Sequence, residues 1–126
     1  MAAFSEFEVY DHFIGAGALG NPLYSWWNAV TTVSGIDDDG NAHEGWTMEV
    51  VCGDPDDEKD LRTVSFSGPV IFAAIAACAS GHLDSVGQKL AEECTLFILR
   101  PEYTDFDAAS ADSVLQVAAF GEVIFG

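Results

Sequence analysis

Residues 45–81 read GWTMEVVCGDPDDEKDLRTVSFSGPVIFAAIAACASG, and this stretch decides the fold. From Gly45 to Cys52 the side chains alternate. Trp46, Met48 and Val50 fall on one side, and Thr47, Glu49 and Val51 on the other, the two-residue period of a half-buried strand. Asp54 to Asp60 then places five carboxylates and one Lys in seven residues, a composition that belongs in a solvated loop. Leu61 to Phe66 reads as a further strand. Ser67-Gly68-Pro69 starts a helix, with Ser67 as the cap and Pro69 in the first turn. The helix runs to about Ala79 and Gly81 closes it. It is apolar almost all round, which places it at the centre of the core.

Upstream, Leu23 to Val33 is rich in β-formers, among them Trp26, Trp27, Val30, Thr31, Thr32 and Val33. Gly35 to Asn41, with Asp37-Asp38-Asp39-Gly40-Asn41, is the turn of a hairpin with a longish loop. Before it, Ser5 and Glu8 fit a capping box, and Phe7, Tyr10, Phe13, Ile14 and Ala18 recur at helical spacing. A helix is expected over 6–18, stopped by Gly20-Asn21-Pro22. Downstream, Ser85 to Leu99 predicts a helix with Val86, Leu90, Cys94, Phe97 and Ile98 inward, ended by Arg100-Pro101. Asp107 is expected to cap a last helix over 108–120, with Ala111, Val114, Leu115, Ala118 and Ala119 inward. Gly121 closes that helix, and Glu122 to Phe125 reads as a short terminal strand. The expectation is one α+β domain over 1–126: a small antiparallel sheet of about three strands, packed on one face by three to four helices.

Composition narrows the function. The chain has 126 residues with 21 Asp plus Glu against 4 Lys plus Arg, a formal net charge of −17. A disordered acidic tail would be poor in aromatics, whereas this chain has nine Phe, three Tyr and three Trp. Four cations cannot build the basic face that direct DNA or RNA binding requires. Binding to an anionic membrane surface is disfavoured on the same ground. The N-terminus lacks a basic region followed by an apolar one, so no signal peptide is expected. Pro69 to Ala79 is the longest apolar run, about half of the roughly 20 residues a spanning helix needs. Cys52, Cys78 and Cys94 are widely spaced in apolar surroundings and read as reduced core thiols of a cytoplasmic protein.

Chemical motifs are sparse. With Gly40 at the sixth position of a calcium loop, the first and twelfth positions fall on Gly35 and Trp46, so the pattern fails. His12, His43 and His82 are scattered, and Cys-x-x-Cys and His-x-x-x-His are absent, leaving no expected metal. Gly15-Ala16-Gly17-Ala18-Leu19-Gly20 matches a dinucleotide fingerprint but follows an expected helix rather than a strand, with no cation near to meet a phosphate. Gly-x-Ser-x-Gly is missing, and nothing marks Cys52 as an activated nucleophile. No catalytic residue and no cofactor are expected. Trp26 and Trp27 would point to opposite faces of a regular strand, so one enters the core and the other either anchors a partner or lies under the first helix.

The charge has three competing uses: binding a basic protein surface, life at high salt, or plain solubility. In the first, carboxylates stand in for phosphates. The residues expected to meet the partner are Asp37, Asp38, Asp39 and Glu44 in one cluster, and Asp54, Asp56, Asp57, Glu58 and Asp60 in another, with Trp26 and Trp27 as apolar anchors. Glu92, Glu93 and Glu102 extend that surface.

The ending Asp105-Phe-Asp-Ala-Ala-Ser-Ala-Asp-Ser-Val-Leu-Gln-Val-Ala-Ala-Phe-Gly-Glu-Val-Ile-Phe-Gly126 resembles that of small acidic proteins encoded by actinobacterial phages and mobile elements. Leu23-Tyr24-Ser25-Trp26-Trp27 is similar to their N-terminal half. The likeness covers under a quarter of the chain. It implies a setting, the cytoplasm of an infected host, and carries no catalytic residue. The leading expectation is therefore a non-enzymatic accessory protein that binds a basic host or defence protein, with DNA mimicry as its sharp form. An assembly module of a phage particle is the alternative, and a small ligand-binding domain or enzyme is a third.

Overall fold

The computed structural model describes residues 27–39, 42–54, 56–100, 106 and 108–123, with the backbone alone for 27–32 and 108. Three strands, β1 (Trp27–Ile36), β2 (Ala42–Cys52) and β3 (Arg62–Ser67), are followed by three helices, α1 (Gly68–Ala79), α2 (Gln88–Leu99) and α3 (Ala108–Phe120). The strands form an antiparallel meander in the order β1-β2-β3, with β2 in the middle. This is the expected α+β architecture. The expected helix over 6–18, Trp26, the Asp107 cap and residues 124–126 lie outside the described residues, as does the Trp27 side chain.

The alternation in β2 is realised in the packing. Trp46, Met48, Val50 and Cys52 are buried, while Thr47 and Glu49 are exposed. Across the β2–β3 ladder Met48 faces Phe66 and Val50 faces Val64, so one face of the sheet is apolar. The other face carries Thr47, Glu49, Thr63 and Ser65, all exposed to water. Ile71 and Ile75 of α1 and Val114 and Leu115 of α3 complete the core with the apolar sheet face.

Ser67 ends β3 and caps α1 in one residue: its Oγ accepts from the Val70 N–H at 3.3 Å, and Pro69 occupies the first turn. α1 packs against α2, α3, β2 and β3, which explains its apolar composition. Its circumference is nevertheless not closed. Val70, Ala73 and Ala76 are exposed, and a groove of about 360 Å³ lined by Val70, Ala73, Ala77, Val117 and Gly121 runs beside α3. Methyl-sized side chains cost little in water, so an alanine-rich helix reads as fully buried when one stripe is open.

Three boundaries differ from expectation. β1 continues through Gly35 to Ile36, which pairs with Ala42, instead of turning at Gly35. Gly35 has φ +78° and sits at a register shift, where a Cβ would lie 2.7 Å from the Trp46 Cα. Only glycine lets β1 pass this close to β2 in a left-handed conformation. α2 begins at Gln88, not Ser85, because Gly87 is extended and Val86 closes a turn onto the Leu83 carbonyl. The expected terminal strand is not formed at Glu122 and Val123: the Val123 N–H donates to Ser85 Oγ at 3.0 Å.

Candidate functional site

The two acidic clusters are set by the meander. Asp37, Asp38 and Asp39 lie in the β1–β2 connection, and Glu44 lies near the start of β2. Asp54, Asp56, Asp57, Glu58 and Asp60 lie in the β2–β3 connection. In an antiparallel meander these connections occupy opposite ends of the middle strand. Only Thr47–Cys52 pairs step for step, and the bulged stretch from Ala42 to Thr47 spans just Ser34–Ile36 on β1, so β2 holds the clusters about 20 Å apart, at about 3.3 Å per regular step. The sheet does not merge them into one patch. It makes two acidic poles.

Each pole is organised by its own carboxylates. In the first, Asp37 Oδ1 accepts from the Asp39 N–H at 3.0 Å, and Asp37 Oδ2 lies 3.0 Å from His43 Nε2. Asp38, Asp39 and Glu44 are exposed. In the second, Asp54 Oδ1 accepts from the Asp56 N–H at 2.9 Å and Asp57 Oδ1 from the Lys59 N–H at 3.1 Å, the latter capping a short 3₁₀ turn over Glu58–Asp60. Asp60 Oδ2 reaches back to accept from the Asp54 N–H at 2.9 Å and closes the loop. Short polar side chains bonding to nearby backbone N–H groups are the local reason such runs form turns. Gly53 makes the closure feasible: at φ +139° it lies where a Cβ would come within 2.6 Å of the Asp60 carbonyl oxygen. Asp56, Asp57 and Glu58 stand exposed, and Asp54 and Asp60 are half-buried.

Among the described residues, Glu92 and Glu93 lie on α2 rather than in either loop. Glu92 is exposed on α2 and accepts from Gln88 Nε2 at 3.1 Å. Glu93 is half-buried and accepts from the Ser110 hydroxyl at 3.3 Å, tying α2 to α3. Glu102 lies outside the described residues. Glu49, which sequence reasoning did not single out, is exposed on the open sheet face between the poles. Its place at an outward position of the β2 alternation was the available signal.

Chemistry beyond charge is limited among the described residues. No group of three His, Cys, Asp or Glu side chains converges as a metal site would require. No helix among them is long and apolar enough to cross a membrane. A second surface groove, larger than the first at about 430 Å³, is lined by Ala79, Gln88, Ala91, Glu92, Thr95, Leu96 and Leu99, with Glu92 its sole titratable side chain. Cys52, Cys78 and Cys94 are free and buried, as expected of core thiols. Burial pushes the Cys52 thiol above its ordinary range, although the Arg62 guanidinium opposes the shift. Arg62 also stacks over the Phe120 ring, 4.6 Å from its centroid, pinning β3 to the end of α3.

Set against protein-family models, curated proteins and solved structures, the chain finds no match.

Proposed function

We propose that this protein acts by stoichiometric binding, presenting its two acidic poles to a basic protein surface that ordinarily holds nucleic acid. The observation that carries the reading is the pair of self-bonded acidic loops at the ends of β2, in a chain of net charge −17. Carboxylates spaced over about 20 Å offer a cationic groove what a stretch of phosphate backbone offers it. The ending Asp105–Gly126, which resembles proteins of actinobacterial phages and mobile elements, supports an accessory role in an infected cell, with a host or defence protein as the target. Trp26 and Trp27 remain the proposed apolar anchors. The protein would work in the host cytoplasm without a cofactor.

The test is capture from host lysate on the immobilised protein, eluted by a salt gradient and challenged with duplex DNA. Asn and Gln replace the acids of residues 54–60 in one variant, and those of 37–39 with Glu44 in another. The amide oxygens keep the acceptors that the loop N–H groups use, so the fold survives while the charge goes. A basic protein displaced by DNA, and lost when either pole is neutralised, supports the reading. Capture that survives neutralisation of both poles overturns it.

A second reading, an assembly module, is favoured by one observation. Leu96 and Leu99 on α2 are 42% and 68% exposed and line the larger groove. Sedimentation at high salt, where charge repulsion is screened, reports a mass above the monomer under that reading and the monomer mass otherwise.

A further inference from the structure

From Gln88 to Arg100 the charges cancel: Lys89 and Arg100 offset Glu92 and Glu93, within a chain of net charge −17. Two of the four cations in the sequence thus bracket one helix. α1, on which α2 chiefly packs, carries no charged residue at all. α2 also exposes Leu96 and Leu99, three positions apart and so on one face, beside the groove that Ala79, Ala91 and Thr95 help to line. Exposed apolar side chains grouped in this way mark a contact surface. Its cancelled charge gives a basic partner nothing to grip, whereas a partner as acidic as this chain meets little repulsion there.

We infer that the protein pairs with a second copy of itself through α2, the two helices running antiparallel about a two-fold axis at Leu96. The inference rests on the assembly reading above, and names its partner and its contact. Direction follows from charge. In a parallel two-fold pair each residue faces its own counterpart, so Glu92 opposes Glu92 and Arg100 opposes Arg100. In an antiparallel pair centred on Leu96, positions four before and four after it meet. Glu92 of each copy then faces the exposed Arg100 of the other, a complementary pairing made twice. Leu96 meets Leu96 on the axis. Leu99 falls level with position 93 of the other copy, between Ala91 and Thr95 of the groove. One patch serves both partners, so the contact closes at two copies.

The size of the seam sets its strength. The 12 residues of α2 make a helix about 18 Å long and about 10 Å wide. A face of those dimensions falls well short of the roughly 800 Å² per partner of a stable complex. The pair is therefore weak and comes apart on dilution. Salt strengthens it, because screening removes the repulsion between distant carboxylates before it removes the attraction between facing groups. The carboxylates of both acidic poles lie in the strand connections, and pairing through α2 engages none of them.

Sedimentation equilibrium of the full chain over a series of protein concentrations, at low and high sodium chloride, gives the association constant. The expected result is a monomer–dimer equilibrium that strengthens with salt. L96D/L99D should weaken it about ten-fold or more while the urea midpoint holds, since both leucines are exposed. Glu92→Arg and Arg100→Glu should each weaken it, and the two together should restore it; in a parallel pair all three variants leave like charges facing like. Under mild oxidation L96C should crosslink to its counterpart, and S65C on the open sheet face should not. Association undiminished in L96D/L99D, masses beyond the dimer, or charge swaps without effect overturn the inference and leave the assembly reading to another surface. Monomer mass at every concentration and salt overturns both, and a lysate protein then lost in L96D/L99D gives the groove to that protein instead.

Discussion

Gly35→Ala and Gly45→Ala form a matched pair whose difference measures how tightly β1 crosses β2. Both glycines have left-handed backbones, φ +78° and +82°. An L-residue there costs about 1–2 kcal/mol in either case. Both substitutions also recover about 0.4–1 kcal/mol by restricting the unfolded chain. The surroundings differ. At Gly45 a Cβ meets nothing within 4 Å. At Gly35 it lies 2.7 Å from the Trp46 Cα and 3.2 Å from its backbone nitrogen, and these atoms cannot rotate away. The strands must separate above a fully buried tryptophan, an overpacking cost of about 1–3 kcal/mol. Gly45→Ala should therefore lose about 1 kcal/mol, and Gly35→Ala about 1–3 kcal/mol more. Urea unfolding followed by tryptophan fluorescence gives both values from the midpoint and slope. Equal losses in the two variants, or a Gly35→Ala variant as stable as wild type, would refute the close crossing of β1 over Trp46.

Three further outcomes follow from the same structure. Ser67→Ala removes the oxygen that accepts from Val70 and should cost about 1 kcal/mol in urea unfolding, with Ser67→Asp retaining most of it. Because −17 charges repel one another, the thermal midpoint should rise with sodium chloride over the range in which the Debye length shrinks from about 30 to 10 Å, as calorimetry would record; a flat response would contradict uncompensated repulsion. Burial raises the folded Cys52 thiol above the ordinary 9.0, so the unfolded state loses its proton first. Stability is then full below about pH 9 and falls as pH rises further, by at most about 1.4 kcal/mol per unit. Urea unfolding between pH 8 and 10 under reducing conditions should show a shallower decline in Cys52→Ala, and an unchanged slope would remove Cys52 as a cause.

The parts legible in the sequence are those where one local rule sufficed. Trp46, Met48 and Val50 announced the buried face of β2 by alternation, and Ser67 with Pro69 marked the start of α1. The β1 boundary was missed because Gly35 is read as a turn residue, whereas its left-handed φ here serves a bulge within the strand. The start of α2 was placed too early because the inward spacing of Val86 and Leu90 carries the helical period back to Ser85, whereas Val86 closes a turn onto the Leu83 carbonyl and the Ser85 hydroxyl accepts from the Val123 N–H, 38 positions away. The acidic clusters were visible as composition, but their separation depends on strand order, which no local period encodes.

The closed ring of residues 54–60 has a bearing on the timing of encounter. Total charge governs how fast a cationic surface arrives, and a flexible acidic tail of equal charge would attract it as quickly. What happens after contact depends on order already present. Three carboxylates of this loop are bonded to its own N–H groups before any partner comes. Little conformational entropy is left to lose on contact, about 0.5–1.5 kcal/mol being spared for each side chain that does not have to be immobilised. Under the proposed binding role, charge thus sets the rate of arrival, and the ring sets how long the visitor stays.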